Sequence, residues 1–178
     1  MKRKGNEMTK QTTSDVLSNL RTLVLSVLLL LAFGAQAADE DIKFVDLQGN
    51  ESTLADYKGK WVIVNLWATW CPPCLVEIPD LVMFQEENKE RAVVLGVNYE
   101  NIEADKVKTF AESQMINYPV VKFPGRVDGR TSPFGDVRGL PTTYMVTPEG
   151  KVVAARTGMV DQKMLEDFIS KFAQMTAK

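Results

Sequence analysis

Two residues of this chain carry redox-capable sulfur, and they stand together. Cys71 and Cys74 flank Pro72 and Pro73 in a single C-x-x-C. A disulfide stabilises a fold mainly by closing a long loop, so a bridge across two intervening residues constrains little of the unfolded chain. The spacing therefore favours a redox couple over its plainer alternative, a structural turn disulfide. The chain has no His, which excludes a Ser–His or Cys–His catalytic pair, an imidazole metal site and a C-x-x-C-H haem attachment. Two cysteines also fall short of the four ligands of a structural zinc site. The expectation is a thiol chemistry that needs no cofactor and no metal.

The residues around the sulfurs bear on the direction of electron flow. Cys71 is placed at the mouth of a helix, where the dipole and free N–H groups favour a thiolate. Pro72 is preorganised for the first helical position. Pro72 and Pro73 both lack an N–H, so the first backbone donor within reach of the Cys71 sulfur is that of Cys74. No imidazolium or Lys stands between the cysteines. A thiolate that is only moderately favoured makes a donor of electrons rather than a strong oxidant.

The elements needed to hold this pair are legible in the apolar pattern. Lys60 to Trp67 is a nearly continuous β-branched run, as in a strand covered on both faces, and it leads directly into the cysteines. After them Leu75, Ile78, Leu81, Val82 and Gln85 recur at helical spacing. Ala92–Asn98 reads as a second buried strand and Ala104–Met115 as a second amphipathic helix. Ile42–Leu47 alternates like a half-exposed strand, and Tyr118–Phe123, flanked by Pro119 and Pro124, suits an edge or short strand. Thr142–Thr147 and Val152–Thr157 form a hairpin across Pro148–Lys151. Asp161 caps a terminal helix with the stripe Met164, Leu165, Phe168, Ile169 and Phe172. Alternating strands and helices followed by a hairpin and a helix predict an α/β domain, a mixed sheet with helices on both faces.

The 178 residues suit one domain, and a net charge of −2 gives no support for nucleic-acid binding. Residues 1–37 read as a signal peptide. Lys2, Arg3, Lys4, Lys10 and Arg21 precede an apolar run from Leu23 to Ala35, which closes on Ala35-Gln36-Ala37. An uncleaved anchor is the alternative, and both readings share one orientation, with the basic end cytoplasmic and the body exported. Cleavage after Ala37 would leave residues 38–178, with sixteen bases against twenty-one acids, net −5.

Trp67-Ala68-Thr69-Trp70-Cys71-Pro72-Pro73-Cys74, with Glu77 and Pro79 beyond, resembles the active-site segment of the thioredoxin superfamily. Gly139-Leu140-Pro141-Thr142-Thr143 resembles its second signature. Over about residues 40–175 the chain is similar to exported thiol–disulfide reductases of the TlpA/ResA type. The resemblance implies a thioredoxin-like fold with an N-terminal strand extension and a central strand–helix insertion. It makes Cys71 an exposed nucleophile, Cys74 the resolving thiol and Leu140–Pro141 a cis-proline loop. With Trp70, Pro72 and Pro73, that loop would bind a substrate peptide. Pro79 would kink the active-site helix.

Where thioredoxins carry a buried Asp, this chain has Asn65, which cannot accept a proton. Glu77 matches an acidic residue of the reductase subfamily and would exchange protons with the thiol pair; the plainer reading is a solvated helix residue. Trp67 and Trp70 divide between core and surface, with Trp70 at the site mouth. Met145, Met159 and Met164 read as core filler, and Arg126–Arg130 as an exposed loop. The expected partners are disulfide-containing or apo-protein substrates and a DsbD/CcdA-like membrane thiol donor, with the chain acting as a monomer in the periplasm, in cytochrome c maturation or a related assembly pathway. The competing readings are a Cu(I) metallochaperone of the same fold and a thiol peroxidase, whose Pro-x-x-x-Thr-x-x-Cys pattern is absent.

Overall fold

The computed structural model describes residues 41–176. The predicted signal segment and its boundary at residues 37/38 lie outside them. Among the described residues no helix is long and apolar enough to cross a membrane.

The order is β1 (Lys43–Asp46), β2 (Glu51–Thr53), a 3-10 turn (Leu54–Tyr57), β3 (Trp61–Trp67), α1 (Pro72–Asn88), β4 (Ala92–Asn98), α2 (Ala104–Ser113), β5 (Val120–Lys122), β6 (Thr131–Ser132), β7 (Gly135–Asp136), β8 (Thr142–Val146), β9 (Val152–Thr157) and α3 (Gln162–Thr176). Seven strands form one mixed sheet in the order β2-β1-β5-β4-β3-β8-β9, and β6–β7 is a separate small hairpin. β3, β4 and β5 run parallel, and β8 returns antiparallel beside β3. All seven residues of β3 are buried, as its unbroken apolar run requires.

The sheet is flanked by helices, but on one face rather than two. Trp61 and Ile63 pack with Leu81 and Phe84 of α1 and with Leu165 and Ile169 of α3. Trp67, two residues further along the same pleat face, stacks on Phe110 of α2 at 5.2 Å between ring centroids. The reason is topological. The β3-α1-β4 and β4-α2-β5 crossovers step across the sheet in the same direction, so a right-handed path puts both helices on the same side. Val62, Val64, Leu66, Leu95 and Val97 face the other way, against Leu54 of the 3-10 turn and against Phe123, Phe134 and Val137.

Two further expectations change. The 118–123 segment supplies a short strand, but an interior one, paired to β4 and β1. Pro119 and Pro124 fall just outside Val120–Lys122, so neither interrupts a ladder, and the Pro119 carbonyl still accepts the Gly96 N–H at 2.9 Å. Met159 and Met164 are exposed and only Met145 is core. The cap of α3 is as expected, Asp161 Oδ1 accepting the Met164 N–H at 2.7 Å.

Candidate active site

β3 delivers the site. Its last residue, Trp67, and the following Ala68 are buried, and the chain then turns so that the Cys71 N–H donates to the Ala68 carbonyl at 3.2 Å. Glu100, beyond the end of β4, braces this turn. Its Oε1 accepts the Thr69 N–H at 2.8 Å and Asn98 Nδ2 at 2.8 Å, and its Oε2 accepts Thr69 Oγ1 at 3.3 Å. The carboxylate is itself buried. Nothing in the local pattern around Glu100 marked it, since its partners become neighbours only through the parallel β3–β4 pairing.

α1 begins at Pro72 with Cys71 as its N-cap. Cys71 and Cys74 are joined as a disulfide, Cα to Cα 5.3 Å. The Cys74 N–H donates to Cys71 Sγ at 3.3 Å, the donor expected once two prolines follow Cys71. The helix continues through Pro79 to Asn88, burying Cys74, Glu77, Ile78, Leu81, Phe84 and Asn88. Leu75, Val82 and Gln85 lie at the margins of that face. The Leu140–Pro141 peptide is cis, and Leu140 packs against the cluster that contains both cysteines.

The structure therefore brings Cys71, Cys74 and Leu140–Pro141 together, with Pro72 and Pro73 exposed at the helix mouth and Trp70 67% exposed beside them. One expectation is overturned. Cys71 is not exposed in this oxidised form but 2% accessible, packed with Trp67, Ala68 and Val107. The solvent-facing surface of the site is Trp70 and the two prolines instead.

Glu77 is not a solvated helix residue either. It is 2% accessible, between α1 and the sheet. Oε1 accepts Asn65 Nδ2 at 2.7 Å, and Oε2 accepts the Val160 N–H, from the turn before α3, at 2.9 Å. Asn65 is held in turn by Thr143 Oγ1 at 3.0 Å. Burial raises the Glu77 carboxyl from 4.5 to about 7; the Val160 and Asn65 hydrogen bonds oppose that rise, and the charge of Asp80 adds to it. A group poised there can take up and release a proton near neutral pH. It stands one helical turn beyond Cys74.

Residues 33–155 match the AhpC/TSA family. The chain belongs to the AhpC/TSA family. Within this family it is 36% identical over 126 residues to the thiol-disulfide oxidoreductase ResA of Bacillus subtilis, covering 70% of this chain and 68% of that protein. It is 32% identical to the thiol:disulfide interchange protein DsbE of Pseudomonas aeruginosa, covering 75% and 71%. Among solved structures it resembles the thioredoxin domain of a thiol-disulfide oxidoreductase from Bacteroides vulgatus, with a TM-score of 0.60 and 25% identity over 79% of this chain and 98% of that one. The fold is thus thioredoxin-like, as the paired motifs implied, and the enzyme class is thiol–disulfide oxidoreductase. The relatives' names favour neither copper carriage nor peroxide reduction.

Proposed function

We propose that this AhpC/TSA-family chain is an exported dithiol reductase of protein disulfides, with Cys71 as nucleophile, Cys74 as resolving thiol and Glu77 as proton acceptor. The observation that carries the reading is the buried carboxyl one turn beyond the Cys71–Cys74 disulfide, held ready to titrate near neutrality. The Cys71 thiolate attacks a substrate disulfide, forms a mixed disulfide and releases one substrate thiolate. Cys74 gives its proton to Glu77 and attacks Cys71 Sγ. The enzyme disulfide re-forms and the second substrate thiolate leaves, so two electrons have passed to the substrate. Glu77 then returns its proton to solvent or product.

The reductive direction has two supports. The Cys71 sulfur has a single short-range backbone donor, Cys74 N–H, and a negative charge at Glu77 disfavours a second one on the sulfurs. Both weaken the thiolate, and a weak thiolate makes a better electron donor. Trp70, Pro72, Pro73 and the cis Leu140–Pro141 loop would receive the substrate as an extended segment, with Leu140 backbone groups pairing to it. The basic, apolar, small-residue order of residues 1–37 supports export to the periplasm, cleaved or anchored. There a monomer would be recharged by a DsbD/CcdA-like membrane thiol carrier, because oxidising surroundings keep the pair oxidised. Apocytochrome c assembly is the pathway proposed from the resemblance to TlpA/ResA-type reductases.

Insulin reduction by the protein with dithiothreitol tests the activity, and Cys71→Ser must abolish it. Cys74→Ser, expressed in the native host, must hold exported proteins on Cys71 as mixed disulfides. Recovery of cytoplasmic proteins alone would overturn the reading.

A further inference from the structure

On the sheet face that carries Glu77 lie buried polar atoms that the scheme above uses only in part. Asn65 of β3 lies opposite Gly96 of β4, and Trp67 opposite Asn98. In a parallel pair such residues share one face, here the face on which α1 and Glu77 lie. Gly96 has no side chain to fill its place. The point where one would begin lies 2.8 Å from Tyr118 Cε2 and 3.1 Å from Trp67 Nε1, so the phenol edge and the indole N–H converge on one spot. Tyr118 is fixed there from both sides, because the neighbouring Asn117 Nδ2 donates to the Val82 carbonyl of α1 at 3.1 Å and the Pro119 carbonyl accepts the Gly96 N–H.

Three buried polar atoms carried on or against this face, Trp67 Nε1, Tyr118 Oη and Asn98 Oδ1, meet no hydrogen-bond partner in the protein. Buried polar groups are satisfied nearly always, and orphans that include both donors and an acceptor are partners that a buried water can meet. Burial and then the Glu77 charge push the Tyr118 phenol far above its usual value, which places the two groups within electrostatic reach.

We propose that Tyr118 is a positioning residue of the redox site: through one buried water shared with Trp67 Nε1 and Asn98 Oδ1, its hydroxyl hands the Glu77 carboxylate a third hydrogen bond and so sets the pH at which Glu77 exchanges protons. This rests on the reading of Glu77 as proton acceptor. The other groups facing Glu77 leave the hydroxyl as the adjustable one. From its own helix these are Asp80 and, one turn back, Cys74 of the disulfide; from β3, Asn65, held by Thr143 of β8; from the turn before α3, the Val160 N–H. A hydrogen bond to the charged form favours that form. Removing the hydroxyl therefore moves Glu77 upward while the ring continues to cover Gly96.

The test is an infrared titration of the protonated carboxyl band of the oxidised protein, assigned to Glu77 by its loss in Glu77→Gln, together with the pH profile of oxidation of the reduced protein by a small disulfide. In Tyr118→Phe the band midpoint and the Glu77-dependent inflection of the rate should both move up by about one pH unit, a tenfold change in the proton equilibrium. In the Glu77→Gln background, Tyr118→Phe should change neither. On the unaltered chain, the ¹³Cζ resonance of Tyr118 should shift with the same midpoint as the Glu77 band, a readout that stands even if a variant fails to fold. Glu77-dependent signals that stay in place in Tyr118→Phe, or a Tyr118 resonance indifferent to them, overturn this inference and leave the Glu77 reading intact. An inflection that survives Glu77→Gln overturns both.

Discussion

Replacing Glu77 by Gln should abolish a slope in the stability–pH curve of the oxidised protein. A folded-state pKa of about 7 against an ordinary 4.5 means that the folded chain binds the Glu77 proton more tightly than the unfolded chain. Stability contributed by the protonated carboxyl is therefore fully present below pH 4.5, falls as pH rises, and is lost above about 7. At 1.36 kcal/mol per unit, the whole fall amounts to about 3 kcal/mol. Gln keeps the shape but carries no charge, so the difference between variant and parent should rise in favour of Gln by that amount between pH 4.5 and 7, then flatten.

The slope is the quantity to measure, because a constant offset is expected. Both Glu77 oxygens accept, from Asn65 Nδ2 and from the Val160 N–H, and a Gln amide must turn one contact into a donor. Asn65 can meet this by rotating its amide, with Thr143 Oγ1 then donating. Other carboxyls with lowered pKa, such as Asp128, titrate alike in both proteins and cancel. Urea unfolding at half-unit steps from pH 4 to 8, with the disulfide intact so that no thiol titrates, gives the two curves. Parallel curves would refute the assignment of a buried, near-neutral carboxyl at position 77.

Gly96→Ala should cost about 1–3 kcal/mol in the same urea assay, because its Cβ would stand 2.8 Å from the Tyr118 ring and 3.1 Å from Trp67 Nε1, both held on the sheet. Asp161→Ala removes the acceptor for the Met164 N–H and should lower stability by about 1 kcal/mol without altering insulin reduction. Glu100→Ala leaves the half-buried Thr69 N–H unpaired. It should cost about 1–3 kcal/mol and also slow insulin reduction, since Thr69 fixes the turn into Cys71; an unchanged rate would remove the turn from the machinery.

The strand–helix order around the cysteines was readable because each element there is long and strongly patterned. β3, β4, β8 and β9 fall within the segments their apolar runs marked, and α1 and α3 enclose the helical periods of Leu75–Gln85 and Met164–Phe172. What could not be read depends on residues distant in the chain. Glu77 stands between Val76 and Ile78 in α1, and a carboxylate there reads by its residue type as a surface position. Only Asn65 from β3 and the Val160 N–H, 83 residues further on, make its burial affordable. Glu100 is hidden for the same reason. The β6–β7 hairpin is two residues a side, too short for any period to register. Cys71 was expected to be exposed as a nucleophile, but it is covered by Trp67, Ala68 and Val107, and Val107 comes from α2, far along the chain from the motif.

The buried carboxyl also argues about purpose. A domain is stable by about 5–15 kcal/mol, and giving up about 3 kcal/mol at neutral pH is a large share of that. A neutral amide at position 77 could fill the same volume and meet the same two partners, Asn65 and Val160, without the cost. What the amide cannot do is change its proton count. Asn65 sharpens the point from the other side: it gives Glu77 a hydrogen bond at 2.7 Å yet never competes for the proton. A second carboxyl there would couple to the first and split the titration into two steps belonging to the pair. The arrangement of one titrating group against non-titrating partners keeps a single proton equilibrium one turn from Cys74, which is what resolving a mixed disulfide near neutral pH calls for.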